Sequence, residues 1–174
     1  LAIILIGFNL FIFNISIDFF TILFILFLIF FSIKVCFLFG KLFGLSKDLS
    51  FLLGVGNGIC GASAIAATSK VLNSKKNDIA ISIAIVNIVG ALLMLLLPLI
   101  LINIDVKHST SGFIIGGVIQ AVGQVTGAGF SINEDVGKYA VLVKMIRILM
   151  LGPIIVLVSI FYKDVKNKSD SFFY

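Results

Sequence analysis

Gly54-Val-Gly-Asn-Gly-Ile-Cys-Gly-Ala-Ser-Ala-Ile-Ala-Ala-Thr-Ser-Lys70 is the stretch on which the fold turns. It lies between long apolar segments, yet it opens with glycines and continues in small residues. A glycine costs about 1 kcal/mol in a helix interior relative to alanine, so Gly54, Gly56, Gly58 and Gly61 mark a place for a membrane helix to unwind. Unwound backbone at membrane depth survives only against protein or a water-filled cavity. The stretch is therefore a candidate binding site, with Asn57, Gly58, Gly61, Ser63 and Thr68 as its path residues. Close helix packing reads the same residues differently, since Gly54 and Gly58 form a GxxxG pair and Ala62/Ala66 and Ser63/Ala67 continue small residues at i,i+4. Gly56-Asn-Gly58-Ile-Cys-Gly61 also fits the G-x-G-x-x-G dinucleotide fingerprint. That fingerprint has force only after a strand of a soluble βαβ unit, and the flanks here are membrane-grade helices.

Composition agrees with the flanks. The 174 residues are 60% hydrophobic and 12% charged, with a mean hydropathy of +1.25, far above the roughly 45–50% apolar content of soluble domains. This is the signature of an integral membrane protein. The net charge of +5 comes from 13 basic residues scattered among connections and the C-terminal tail. Such scatter suits a positive-inside bias and not a nucleic-acid-binding stripe. Cys36 and Cys60 stand singly in apolar segments and His108 is the one histidine, so no disulfide frame, zinc site or cofactor is expected.

The chain reads as an all-α polytopic bundle of about six membrane segments, 1–14, 17–40, 49–72, 79–101, 112–130 and 137–162, followed by a polar tail, 163–174. The first segment is shorter than the roughly 20 residues a span requires, and the expectation is a chain that begins partway through a helix of a longer parent. Segment 17–40 is phenylalanine- and isoleucine-rich all round, as a lipid-facing helix is. Segment 79–101 carries Asn87 near its middle, with Gly90 on much the same face; the amide either bonds a neighbouring helix or coordinates a substrate. Segment 112–130 repeats the central pattern, with Gln120 and Gln124 sharing a face between GxxxG pairs at Gly112/Gly116 and Gly123/Gly127. The two glycine-rich segments are expected to face each other. Basic residues do not decide orientation: if the central stretch crosses fully, Lys41, Lys47, Lys107 and the three tail lysines stand against Lys70, Lys75, Lys76 and Lys138, six to four, whereas a re-entrant stretch puts Lys41, Lys47, Lys70, Lys75 and Lys76 on one side.

Lys144 and Arg147 share a face of the last segment, and Arg147 is too deep to snorkel easily. Either backbone carbonyls of a broken helix or an acidic residue of a further span cap Arg147, or it faces the cavity between the glycine-rich segments and draws an anion by bidentate hydrogen bonding. It is expected to point toward 63–68 or 120–124, with Lys144 leaning toward Glu134 and Asp135.

The run GICGASAIAATSKVL from Gly58, followed by Lys75-Lys-Asn-Asp78, a span ending in a proline, and VGQVTGAG…VLVKMIRILMLGPI, resembles the YeiH-type family of proposed sulfate exporters. The resemblance runs in order over nearly the whole chain, from Leu5-Ile-Gly-Phe-Asn-Leu10 to Pro153. It implies a multi-pass protein of the bacterial cytoplasmic (inner) membrane, with the inverted repeats and broken, crossing helices of antiporter and bile-acid-type transporters. In place of the family's His followed by an acidic residue stands Gln120-Ala121, so a titratable pair is missing there.

Two functional classes follow. One is a secondary transporter exporting a small anion, sulfate by the resemblance, along Asn57, Gly58, Gly61, Ser63, Thr68, Asn87, Gln120, Gln124, Lys144 and Arg147. The other is an incomplete or split-gene fragment that acts only by assembling with other membrane spans, or as a homo-oligomer, in the lipid bilayer. No Ser–His pair, H-E-x-x-H or paired intramembrane aspartates suggest an enzyme.

Overall fold

A computed structural model describes residues 19–104 and 106–170. The expected segment 1–14 and the last four residues of the tail lie outside the described residues. Within them all regular structure is helical, in eight helices: α1 (Phe19–Leu42), α2 (Lys47–Gly58), α3 (Ala62–Leu72), α4 (Lys76–Asn103), α5 (His108–Val118), α6 (Val122–Ile132), α7 (Glu134–Leu149) and α8 (Leu151–Asp170). No strand occurs among the described residues, as hydrocarbon demands of a chain whose backbone groups must be satisfied within each segment.

Among the described residues three stretches are long and apolar enough to cross a membrane: Ile22–Leu42, Lys76–Asn103 and Glu134–Ile160. α1 turns Phe20, Leu23, Phe24, Phe27, Phe30 and Phe31 outward and buries Ile25 and Ile29, which is the division a lipid-facing helix needs. α4 carries Pro98 inside its 28 residues. The segment expected at 137–162 is divided into α7 and α8 at Met150, and helical backbone continues through the polar tail as far as Asp170.

Between these spans lie two pairs of short helices. α2 has 12 residues and α3, α5 and α6 have 11 each, so each is about 16–18 Å long and reaches only partway across a roughly 30 Å core. Ser46 caps α2 by accepting from the Leu49 amide at 3.1 Å and donates to Asp78 Oδ2 at 3.0 Å, which ties the start of α2 to the start of α4. α3 closes on Asn73 in the left-handed conformation (φ 50°, ψ 42°), one that asparagine tolerates better than most residues. Asn133 caps α7 by accepting from the Val136 amide at 2.8 Å.

α2 packs against α1, α3 and α4, while α7 packs against α5 and α6. Glycines set how closely. A Cβ on Gly54 would stand 2.8 Å from the Ile33 backbone of α1, and one on Gly112 would press on Tyr139 and Val136 of α7. One apolar cluster, with Ile25, Ile29, Val55, Ile59, Ala64, Val143 and Ile146, surrounds the junction of α2 and α3. Another, with Leu101, Ile115, Ile119, Val125, Val136 and Ala140, surrounds the junction of α5 and α6.

Candidate functional site

The site is built from the two junctions. α2 ends at Gly58, and Ile59-Cys60-Gly61 turns the chain, with Gly61 at φ 71°, ψ −128°. Only glycine enters that backbone region readily, and the turn is closed by the Gly61 amide donating to Gly56 O at 2.9 Å. α5 ends at Val118, and Ile119, Gln120 and Ala121 lead into α6, with Ile119 extended at φ −73°, ψ 139° and Ala121 extended at φ −90°, ψ 141°. The junctions touch. A Cβ on Gly61 would lie 3.5 Å from Gln120 Cβ, and Gln120 Nε2 donates to Asn57 Oδ1 at 2.9 Å.

Each junction creates one helix C-terminus and one helix N-terminus, leaving unpaired carbonyls on one side and unpaired amides on the other. The carbonyl side is held by α7. Lys144, fully buried, donates from Nζ to Ile59 O at 2.8 Å and to Ile119 O at 3.0 Å. Arg147, 3% exposed, donates from Nε to Gly58 O at 3.0 Å, from Nη2 to Asn57 O at 2.7 Å and Gly58 O at 2.6 Å, and from Nη1 to Gly116 O at 3.0 Å and to Gly117 O. All five N–H groups of the guanidinium are thereby engaged. Two cations on one face of α7 neutralise the negative ends of α2 and α5 together.

The amide side has no such partner among the described residues. The N-caps of α3 and α6, Gly61 and Ala121, provide no side-chain cap, and neither helix has an acidic residue in its first turn. In sequence, no Asp or Glu stands between Asp78 and Asp105 or between Asp105 and Glu134. What faces this side is α4, at Val86, Asn87 and Gly90. Val86 Cγ1 would be 3.5 Å from a Cβ on Gly61, and Gln124 Nε2 donates to Asn87 O at 3.4 Å.

The expected path residues are distributed unequally over this arrangement. Asn57, Gly58, Gly61, Gln120 and Gln124 meet at the junctions, with Asn87 beside them on the exposed face of α4. Ser63 lies at the start of α3, exposed, its Oγ 2.8 Å from Cys60 Sγ. Thr68 is buried about 7.5 Å further along α3, its hydroxyl unpartnered among the described residues. Arg147 corrects an expectation. It points inward, but to the carbonyls that precede 63–68 and 120–124, so the carbonyl-capping alternative describes it and no N–H is left to grip an anion. Lys144 does not lean toward Glu134 either; Glu134 pairs with Lys138 at 2.8 Å. Which carbonyls the two cations meet was not legible in the sequence: the main-chain oxygens of Asn57, Gly58, Gly116 and Gly117 for Arg147, and of Ile59 and Ile119 for Lys144. A signal for them existed: two membrane-buried cations in a chain with no carboxylate in its central apolar segments have only backbone carbonyls to turn to.

Among known proteins, the family described as conserved hypothetical protein 698 matches the chain over residues 1–172. A UPF0324 membrane protein of Bartonella henselae is 41% identical over 138 residues, 79% of this chain and 40% of that protein. One of Clostridium perfringens is 40% identical over 134 residues, 75% of this chain and 38% of its own. The UPF0324 inner membrane protein YeiH of Escherichia coli is 38% identical over 126 residues, 71% and 36% respectively. The chain thus spans about two fifths of the length of the curated relatives it matches. No solved structure matches it. With inner-membrane relatives and three helices of membrane length, this is a bacterial inner-membrane protein, and the chain belongs to the conserved hypothetical protein 698 (UPF0324) family.

Proposed function

We propose that the chain forms the crossing unit of a secondary transporter, not an enzyme, that moves a small anion across the inner membrane. In this reading α2/α3 and α5/α6 are two discontinuous membrane segments, each followed by a membrane-length stretch, α4 or α7 with α8, in the manner of inverted repeats. The carrying observation is the unequal compensation of the helix ends: Lys144 and Arg147 answer the carbonyl side, while among the described residues nothing acidic answers the amide side. Uncapped N-termini at membrane depth attract negative charge. Exposed Asn87 and Ser63 beside them support a water-filled or protein-covered face there, since polar groups are not left to hydrocarbon. Lys144 and Arg147 act as a staple and set the field, and the anion meets amides of α3 and α6 together with Asn57, Gln120, Gln124 and Asn87. Sulfate is the anion suggested by the family resemblance.

The exposed mid-membrane amide of Asn87 also favours a second reading, in which this face is completed by further membrane spans and the chain transports nothing by itself. Reconstitution of the native reading frame carrying this chain into liposomes tests both. Uptake of labelled sulfate is compared with chloride and small organic anions under imposed proton gradients. Saturable uptake of at least one anion is expected, and uptake of none by protein shown to be folded overturns the transport reading.

A further inference from the structure

Two carboxamide oxygens on the amide side have no donor among the described residues. Gln120 is 4% exposed, and the Oε1 atoms of both Gln120 and Gln124 are buried without a hydrogen-bond partner among the described residues. Their orientation is set by their nitrogens, since Gln120 Nε2 donates to Asn57 Oδ1 at 2.9 Å and Gln124 Nε2 to Asn87 O at 3.4 Å. Both oxygens are thereby turned to one side of Gly90, where an added Cβ would stand 2.7 Å from Gln120 Oε1 and overlap Gln124 Oε1. Glycine at position 90 is what leaves room for the pair. Buried acceptors are nearly always matched by a donor, and no side chain of α3, α4 or α6 is positioned to supply one here.

A metal cation would satisfy the oxygens but would sit against two uncompensated helix N-termini with Lys144 and Arg147 close behind, which the local field opposes. A fully deprotonated oxyanion would satisfy the amides but offer only further lone pairs to the oxygens. We infer that the anion bound here carries its own hydrogen-bond donor beside its negative charge, as a protonated oxyanion or an ammonium-bearing sulfonate does, its charge on the α3 and α6 amides and its donor on Gln120 and Gln124. This rests on the anion reading above and narrows it away from sulfate.

Matched ligand pairs test it by calorimetric titration of the purified native reading frame in nanodiscs. Hydrogen phosphate against sulfate is a tetrahedral pair, bicarbonate against nitrate a planar one, and taurine against ethanesulfonate differs by an ammonium group. The donor-bearing member of at least one pair is expected to bind about 10-fold tighter or more, because a site with unpaired acceptors rejects an analogue that lacks the donor. The first two pairs report a protonated oxyanion, the third an ammonium. Gln124→Met, which keeps the shape and removes the oxygen, is expected to shrink that preference to about 2-fold or less. Equal binding within every pair overturns the inference and leaves the anion reading standing, as does a preference that Gln124→Met leaves intact. Failure of all six ligands to bind overturns both.

Discussion

The two junctions achieve the same interruption by different means. Between α2 and α3 the chain turns tightly through Gly61 at φ 71°, closed by its own hydrogen bond to Gly56. Between α5 and α6 three residues with side chains, Ile119, Gln120 and Ala121, make the link with no positive φ, Ile119 and Ala121 extended. At the first junction glycine supplies a conformation. At the second, glycine supplies proximity, because Gly112 and Gly116 let α5 lie against Tyr139, Ala140 and Val143 of α7. What makes the two equivalent is α7, whose cations hold both C-termini. A helix can therefore be interrupted without a glycine at the break, provided a donor is brought within reach of the carbonyls it leaves behind.

Removing that shared element should have the largest effect. Arg147→Met deprives the carbonyls of Asn57, Gly58, Gly116 and Gly117 of their donors, at about 1–3 kcal/mol for each acceptor left unsatisfied. The expected outcome is a total of more than about 3 kcal/mol, read as loss of the monodisperse peak in detergent. Arg147→Lys, with three donors in place of five, should fall between the two. An Arg147→Met protein as stable as the parent would mean that each junction stands on its own.

Gly61→Ala separates the junctions by conformation. It forces an L side chain into a sparsely populated backbone region, at a cost of about 1–3 kcal/mol, whereas Ala121→Gly at the other junction should change stability by less than about 1 kcal/mol. Unfolding in detergent, monitored by circular dichroism, measures both. Equal losses would erase the distinction drawn above.

The third test concerns proximity. A Cβ on Gly116 would press on the Ala140 carbonyl and stand 3.0 Å from Val143 Cβ, while one on Gly123 would meet nothing within 4 Å. Gly116→Ala is expected to destabilise by about 1–3 kcal/mol through overpacking. Gly123→Ala should be neutral or stabilise by up to about 1 kcal/mol, as alanine does in a helix. Thermal midpoints of the two variants, measured side by side, would expose an error in either assignment.

Much of this was legible in the sequence, and the reason for the rest is physical. The apolar segments announce themselves by length, and the crowding of glycines from Gly54 to Gly61 points to an unusual stretch. Which of those glycines bends the chain is a matter of tertiary contact: Gly54 and Gly58 face the backbone of α1 at Ile33 and Ile29, Gly56 faces Ile65 and Val86, and Gly61 alone takes a positive φ. Nothing in the local sequence of Ile119-Gln120-Ala121 suggests extended backbone. That conformation depends on Lys144, 25 positions away in sequence, and so on a pairing that no local pattern encodes. The side-chain direction of Arg147 was undetermined for the same reason, since an oxyanion and a backbone carbonyl attract a guanidinium by the same chemistry.

The smallest predicted effect addresses whether the junctions also recognise each other directly. Gln120 Nε2 and Asn57 Oδ1 are 2.9 Å apart, and theirs is the side-chain hydrogen bond that joins one junction to the other directly; beside it stand the close approach of Gly61 to Gln120 and the links through α4 and α7. Interhelical hydrogen bonds in membranes average about 0.6 kcal/mol in double-mutant cycles and reach about 1.7, because an unfolded but inserted chain also finds partners. A cycle of Asn57→Ala and Gln120→Ala should therefore give a coupling of about 0.6 kcal/mol. Asn57 also donates from Nδ2 to Cys36 Sγ at 3.9 Å; that contact is lost in both Asn57 variants and cancels from the coupling. A coupling indistinguishable from zero, with both single variants folded, would show that this hydrogen bond does not hold the two breaks together. The Gln120 amide would then be free to turn, and its oxygen would no longer be committed to the Gly90 side.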